Sequence, residues 1–205
     1  MNEFDVKASG WDSNPMHWER SMAIARELIA ELPIVPTMKV LEFGAGTGIL
    51  SFMLKSYFNE ITLMDNSIEM VKIMNDKIAK SNVSNLKTLY FDLERNDYLD
   101  GKFDLIFTQM ALHHVDDIDR IFERFYRILN PNGYLAIADL YKEDGSFHGD
   151  GFTGHNGFDV ETLSSILGKH HFKNILHKQC FVIKREMSID EVKQFPLFLL
   201  VANRF

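Results

Sequence analysis

The sequence predicts a doubly wound α/β fold: seven strands in a mostly parallel sheet, helices on both faces, and an antiparallel last strand. Three observations carry this. Short apolar runs alternate with amphipathic helical stretches through the first two-thirds of the chain, a pattern that calls for parallel strands covered by helices. A polar residue closes each of the first five apolar strands: Glu42, Asp65, Asp92, Gln109 and Asp139. In such sheets ligands bind beyond those carboxyl ends. Finally, VLEFGAGTGIL (residues 40–50) joins an apolar run to Gly44, Gly46 and Gly48. That is a buried strand, a tight turn and a helix start, a junction that brings backbone N–H groups close to a ligand.

Residues 1–18 are mixed and aromatic, with Trp11, Pro15, His17 and Trp18. From Glu19 an apolar stripe of Met22, Ile24, Ala25, Leu28, Ile29 and Leu32 marks a helix, ended by Pro33 and Pro36. The first strand, 39–43, runs into the glycine corner, and 48–56 reads as a helix. Ile61–Met64 is a second strand ending at Asp65, and Ser67 caps a helix over 68–80. Strands at 86–91, 103–108 and 134–138 follow. A helix over 118–129 precedes the last of these and is broken by Asn130-Pro131-Asn132-Gly133. Residues 141–157, YKEDGSFHGDGFTGHNG, read as a loop or insertion. A helix over 158–169, capped by Asp159, leads to strands at 175–184 and 198–203. A polar segment holding Pro196 joins these two, which pair antiparallel at the sheet edge. The predicted organisation is one domain, 1–205, with residues 1–35 as an N-terminal cap and 141–157 as an active-site loop.

A chain of 205 residues is long enough for one substantial core and short for two domains. The composition, 46% apolar and 25% charged, is ordinary for a soluble globular protein. A net charge of -7 argues against a broad nucleic-acid footprint, because phosphate binding wants basic surface. The single cysteine, Cys180, excludes an internal disulfide and reads as a buried small hydrophobe. No apolar run reaches transmembrane length and the N-terminus has no signal-like segment, so the expected location is cytoplasmic. The apolar run FPLFLLVA near the C-terminus suits either the core or a homodimer interface.

A nucleotide-like cofactor needs a close backbone turn, a carboxylate for the ribose hydroxyls and a sandwich for the base. Gly44–Gly48 supplies the turn. Asp65, 21 residues beyond Gly44 at the next strand end, suits the ribose. Asp92 can accept from an exocyclic adenine amine, with Leu93 and Met64 flanking the ring. The spacing Gly-x-Gly-x-Gly differs from the dinucleotide fingerprint, and no phosphate-binding lysine of the kinase-type loop is present. Glu42 is a poor neighbour for pyrophosphate and a good one for a cationic amino group. A cofactor with a cationic centre and an adenosine fits better than NAD.

These residues resemble the class I S-adenosylmethionine-dependent methyltransferases. VLEFGAGTG resembles the family's first motif, FDLE the segment whose acid meets the adenine amine, FDLIFTQMALHHV the fourth-strand motif, and LNPNGYLAIADL the turn and fifth strand. The N-terminal AxxWD, HNGFDVETL and the final LLVANR further resemble a small-molecule subgroup near the quinone-biosynthesis methyltransferases. The resemblance implies S-adenosyl-L-methionine as cofactor and S-adenosyl-L-homocysteine as product. It sets the methionine part along the glycine loop, its ammonium near Glu42 and the Gly44 and Gln109 carbonyls. Asp65 holds both ribose hydroxyls, the N-terminal segment with Trp11 folds over the cofactor, and Arg20 meets its carboxylate. Ala45, Asn66, Met70, Met110 and His114 complete the implied cofactor set.

Methyl transfer from a sulfonium is in-line displacement, so the protein must align an acceptor and exclude water. A base is required only for some acceptors. His113, His114, His148 and His155 are the candidates to orient an acceptor or act as base, the first two also suiting packing roles beside the fourth strand. No metal site is expected: there is no HExxH or cysteine cluster, and adjacent histidines seldom point at one ion. The acceptor is expected to be small, in an apolar cavity lined by Trp18, Met110, Tyr141, Phe147, Phe152 and Phe158. The fourth strand lacks the Asn/Asp-Pro-Pro-aromatic tetrad of enzymes that methylate exocyclic amines in DNA. The alternatives are an NAD-type oxidoreductase and a non-catalytic S-adenosylmethionine-binding protein.

Overall fold

A computed structural model describes residues 3–188 and 191–205. The elements run α1 (Glu3–Lys7), a 3-10 turn (Ala8–Ser13), α2 (Pro15–Glu31), β1 (Lys39–Phe43), α3 (Ile49–Leu54), β2 (Glu60–Asp65) and α4 (Ile68–Ser81). They continue with β3 (Leu86–Tyr90), β4 (Phe103–Gln109), α5 (Ile118–Ile128), β5 (Leu129–Leu140), α6 (Val160–Lys169), β6 (Phe172–Ser188) and β7 (Glu191–Arg204). The sheet has seven strands in the order β3-β2-β1-β4-β5-β7-β6. Strands β1 to β5 pair parallel, and β7 runs antiparallel to both β5 and β6.

Strand residues alternate between two helix layers, as the pleat requires. Leu41, Phe43, Ile106, Leu135 and Ile137 pack against α5 and α6. Val40, Leu63, Leu105, Phe107, Ala136 and Ala138 pack against α2, α3 and α4. The helices start where short polar side chains take up free N–H groups. Ser67 Oγ accepts from Met70 N–H, Asp117 from Arg120 N–H and Asp159 from Thr162 N–H.

Several expected boundaries move. The second helix begins at Pro15 rather than Glu19, because Asn14 accepts from Met16 N–H and proline suits the first helical turn. Pro196, expected in a connector, lies inside β7. Its carbonyl accepts from Tyr141 N–H on the β5 side, just past the last β5–β7 pair, Leu140↔Leu197. The N–H that proline lacks would face that same side, so no ladder bond to β6 is lost. The middle of the expected connector, residues 189–190, lies outside the described residues. The run FPLFLLVA is core: Phe195 and Leu197–Leu200 are fully buried, so it offers no dimer surface. Among the described residues no helix is long and apolar enough to cross a membrane.

Candidate functional site

The carboxyl ends of β1, β2 and β4 open into a cavity of about 540 Å³, within the range of small-molecule sites. Gly44, Ala45 and Gly46 form one wall, Asp65, Asn66 and Met70 a second, Asp92 and Leu93 a third, and Gln109, Met110 and His114 a fourth. Trp11 and Arg20 line it from the N-terminal side. Gly44, at φ +65°, has no room for a side chain, since a Cβ there would stand 2.5 Å from Ala111 Cβ. The turn leaves Gly46 N–H donating to Asp65 Oδ2 at 2.7 Å, while Asp65 Oδ1 accepts from Ser67 N–H at 2.8 Å. Burial nevertheless pushes the Asp65 carboxyl up to about 6. Asp92 Oδ1 accepts from Glu94 and Arg95 N–H, which fixes the turn after β3. Gln109 exchanges hydrogen bonds with Ser21 Oγ on α2.

Arg20 is the unusual group. It is 5% exposed, and its Nε is buried with no hydrogen-bond partner. Burial lowers its pKa to about 10, opposed by the nearby Asp139 charge. It therefore stays a cation at neutral pH, set in the wall of a cavity. A buried N–H donor left without a hydrogen bond is costly, so this position fits an anionic ligand group that Nε can donate to.

Two expected cofactor residues lie elsewhere. Glu42 shares the pleat face of Val40, so its carboxyl turns under α3 and accepts from Ser51 Oγ. It is fully buried, does not line the cavity, and burial pushes its carboxyl up to about 8. A neutral, sealed carboxyl is no counter-ion for an ammonium. Gly48 is required for packing: at φ +79°, a Cβ would meet Leu63 Cδ2 at 2.7 Å.

Three of the four candidate histidines converge. His113, 1% exposed, has its Nδ1 2.6 Å from Asp139 Oδ1, and Asp139 is fully buried. The 3-10 turn Leu112–His114 sets the His113 and His114 rings 4.2 Å apart, and His148 lies 5.0 and 5.3 Å from them. The expectation that adjacent histidines diverge is not met, because the tight turn brings both rings round to one side. Burial, and after it the neighbouring His113, His148 and Lys7, lower His114 to about 2, so its ring is neutral. His155 is a clip outside this group: its Nε2 meets the Val115 carbonyl at 2.9 Å and its N–H donates to the His113 carbonyl. Phe152 stacks on His148 at 3.8 Å. Met110 and Phe152 line the cavity, whereas Trp18, Tyr141, Phe147 and Phe158 do not. Burial raises the Cys180 thiol to about 12, which leaves it without nucleophilic character.

Residues 41–137, which hold the glycine turn, Asp65, Asp92 and the histidine turn, match the methyltransferase domain family. Over those residues the chain is similar to methyltransferase domains. An uncharacterised methyltransferase of Schizosaccharomyces pombe is 31% identical over 176 residues, covering 76% of this chain and 60% of the relative. Trans-aconitate 2-methyltransferase of Deinococcus radiodurans is 30% identical over 142 residues, covering 67% of this chain and 52% of the relative. The chain thus spans between about half and three-fifths of the length of these two curated relatives. Among solved structures, a putative methyltransferase of Haloferax volcanii, in complex with the Trm112 methyltransferase activator, shares the fold. Its TM-score is 0.80 at 18% identity, over 100% of this chain and 98% of that one.

The cavity also recruits residues that carry no motif. Phe4 and Lys7, one turn apart on α1, line the cavity, and Phe4 meets His114 edge-on at 4.9 Å. Their only signal in the sequence is a helical spacing too short to recognise. Asp12 and Lys77 are likewise silent, yet they lock the N-terminal segment in place: Asp12 accepts from Thr47 Oγ1 and Lys77 Nζ.

Proposed function

We propose that this chain, acting as one domain with residues 1–35 as its cap and 141–157 as its acceptor loop, transfers a methyl group from S-adenosylmethionine to a small molecule. The product is S-adenosylhomocysteine. Arg20 carries the reading. A buried guanidinium with an unpartnered Nε in the cavity wall fits the cofactor's carboxylate. Asp65 takes the ribose hydroxyls, Asp92 the adenine amine, and Leu93 and Met64 flank the ring. Trp11 closes over the Gly46 backbone, its Nε1 4.0 Å from where a Cβ would stand. When bound, the sulfonium supplies an already activated methyl group.

The chain's own task is to hold the acceptor in line and keep water out. The acceptor end is formed by Met110, His114, His148 and Phe152. The Asp139 carboxylate fixes the His113 ring through Nδ1, behind that end. His155 acts only by tying the loop down.

The small-molecule reading fits a relative named for trans-aconitate. The nearer likeness to quinone-biosynthesis enzymes rests on AxxWD, HNGFDVETL and LLVANR. A cytoplasmic setting and the exclusion of nucleic acid belong to the same reading, the latter supported by the net charge of -7. A homodimer would need a face other than β7, which sedimentation tests.

Calorimetric titration with S-adenosylmethionine, S-adenosylhomocysteine and NADH tests the donor. Binding of both adenosyl ligands and none of NADH is expected, and the reverse overturns the reading. Release of S-adenosylhomocysteine with a panel of polycarboxylates, phenols and quinols then identifies the acceptor class.

A further inference from the structure

We infer that His113, His114 and His148 form a three-imidazole site for a zinc-class divalent metal ion in the wall of the acceptor cavity. Their ligand nitrogens lie within 4.8 Å of one another. A tetrahedral zinc site, with bonds of 2.0–2.1 Å, wants its nitrogens about 3.3 Å apart. Side-chain rotations that close the cluster by roughly 1.5 Å suffice. Two of the three rings belong to half-buried side chains in the cavity wall, while the third is anchored.

The anchor is the strongest feature. Histidines that bind metals almost always direct their other ring nitrogen to a carboxylate or carbonyl. His113 Nδ1 does so, to a fully buried aspartate whose own orientation is fixed twice over. Asp139 Oδ1 accepts from Leu140 N–H at 2.7 Å, and Oδ2 accepts from His113 N–H at 3.2 Å. That leaves His113 Nε2 as the ligand atom. Packing this well serves orientation, and a simple ring stack would not need it.

The donor set selects the ion. Three imidazoles with no carboxylate or thiolate among them suit zinc, cobalt, nickel or copper, and do not suit magnesium or calcium. Three protein ligands leave a position open. His114 and His148 line the cavity, so that position faces the acceptor end. Phe4 lies edge-on to His114, Phe147 edge-on to His148, and Phe152 stacks on His148. This apolar collar limits water and strengthens whatever the open position holds. A heteroatom of the acceptor bound there would lose its proton more readily. That last role rests on the methyl-transfer reading; the metal site itself does not.

The test uses tag-free full-length protein, freed of metal with a chelator and titrated with zinc and with cobalt(II). One ion per chain is expected by elemental analysis after dialysis, and cobalt should give the intense visible bands of a tetrahedral site. His148→Phe, which keeps the stack on Phe152, and His114→Phe should each weaken zinc binding by at least about 100-fold. Asp139→Asn should weaken it by roughly 10–100-fold. Circular dichroism checks that each variant folds, and S-adenosylhomocysteine titration of His148→Phe reads the donor half separately. No stoichiometric metal on the wild type, or binding that survives both phenylalanine variants, overturns the site and leaves the three rings a packing cluster. Loss of S-adenosylhomocysteine binding in the wild type would instead count against the methyl-transfer reading alone.

Discussion

Lys77 Nζ stands 2.8 Å from Asp12 Oδ2 and 2.8 Å from the Thr47 carbonyl oxygen. One ammonium on α4 thereby ties the N-terminal segment to the glycine turn, with Trp11 held between them and the cavity. Both side chains are partly shielded, at 21% and 32% exposure, so the pair outlasts the screening that weakens surface pairs. Lys77→Met keeps the aliphatic stem and removes the three donors. Release of S-adenosylhomocysteine should quicken by about tenfold, read by stopped-flow fluorescence of Trp11. The N-terminal segment should become easier to cleave in limited proteolysis.

Arg20→Gln removes the buried cation while keeping a polar side chain. Affinity for S-adenosylhomocysteine should fall by about 100-fold. Affinity for 5′-methylthioadenosine, which has no carboxylate, should stay within about threefold. Equal losses for the two ligands in calorimetry would separate Arg20 from the carboxylate.

The Asp65 carboxyl sits at about 6 in the folded chain against an ordinary 3.8, because burial disfavours its charge. Ribose hydroxyls donate best to the ionised form, so cofactor affinity should be full above pH 6. It should fall by up to about tenfold per unit below that. The folded chain's contribution to stability has the opposite sign. With the folded value above the unfolded one, Asp65 favours the folded state as pH drops from about 6 toward 3.8. Titration of S-adenosylhomocysteine between pH 5 and 8 should show this slope, and Asp65→Asn should bind weakly and without it.

Glu42 carries a larger shift, from 4.5 to about 8, again by burial. Below 4.5 both folded and unfolded chains hold the proton. Between 4.5 and 8 only the folded chain does, so stability is lost as pH rises through that window. Glu42→Gln retains an acceptor for Ser51 and has no charge to bury. Its Tm should match the wild type near pH 4.5 and exceed it at pH 9, by on the order of several degrees. Thermal melts at the two pH values decide it, and an unchanged pH profile would mean that Glu42 is ionised in the folded chain.

The sheet, its strand ends and the glycine turn were legible because each is a local pattern: alternation of apolar runs, a polar closing residue, glycines at left-handed positions. Asp65 and Asp92 were legible for the same reason, as residues at fixed places on strand ends. Glu42 was not, because its role depends on which pleat face meets α3, and sequence position alone does not say that a carboxyl will be sealed beneath a helix. The N-terminal contacts were hidden because α1 has five residues and its partners lie far along the chain. The convergence of His148 on His113 and His114 depends on how a loop folds back over the sheet, and periodicity carries no trace of such long-range closure. Pro196 misled for a physical reason: proline usually breaks a strand, and here the N–H it lacks faces past the end of β5.

The clip made by His155, together with the Tyr141–Phe158 bridge, gives the 141–157 loop a stitched base beneath a tip, residues 148–153, that contributes most of its cavity-facing side chains. Changes at the tip therefore alter what the cavity admits without unpicking the sheet or the adenosyl half. A library restricted to those six positions is the economical place to change what the cavity admits.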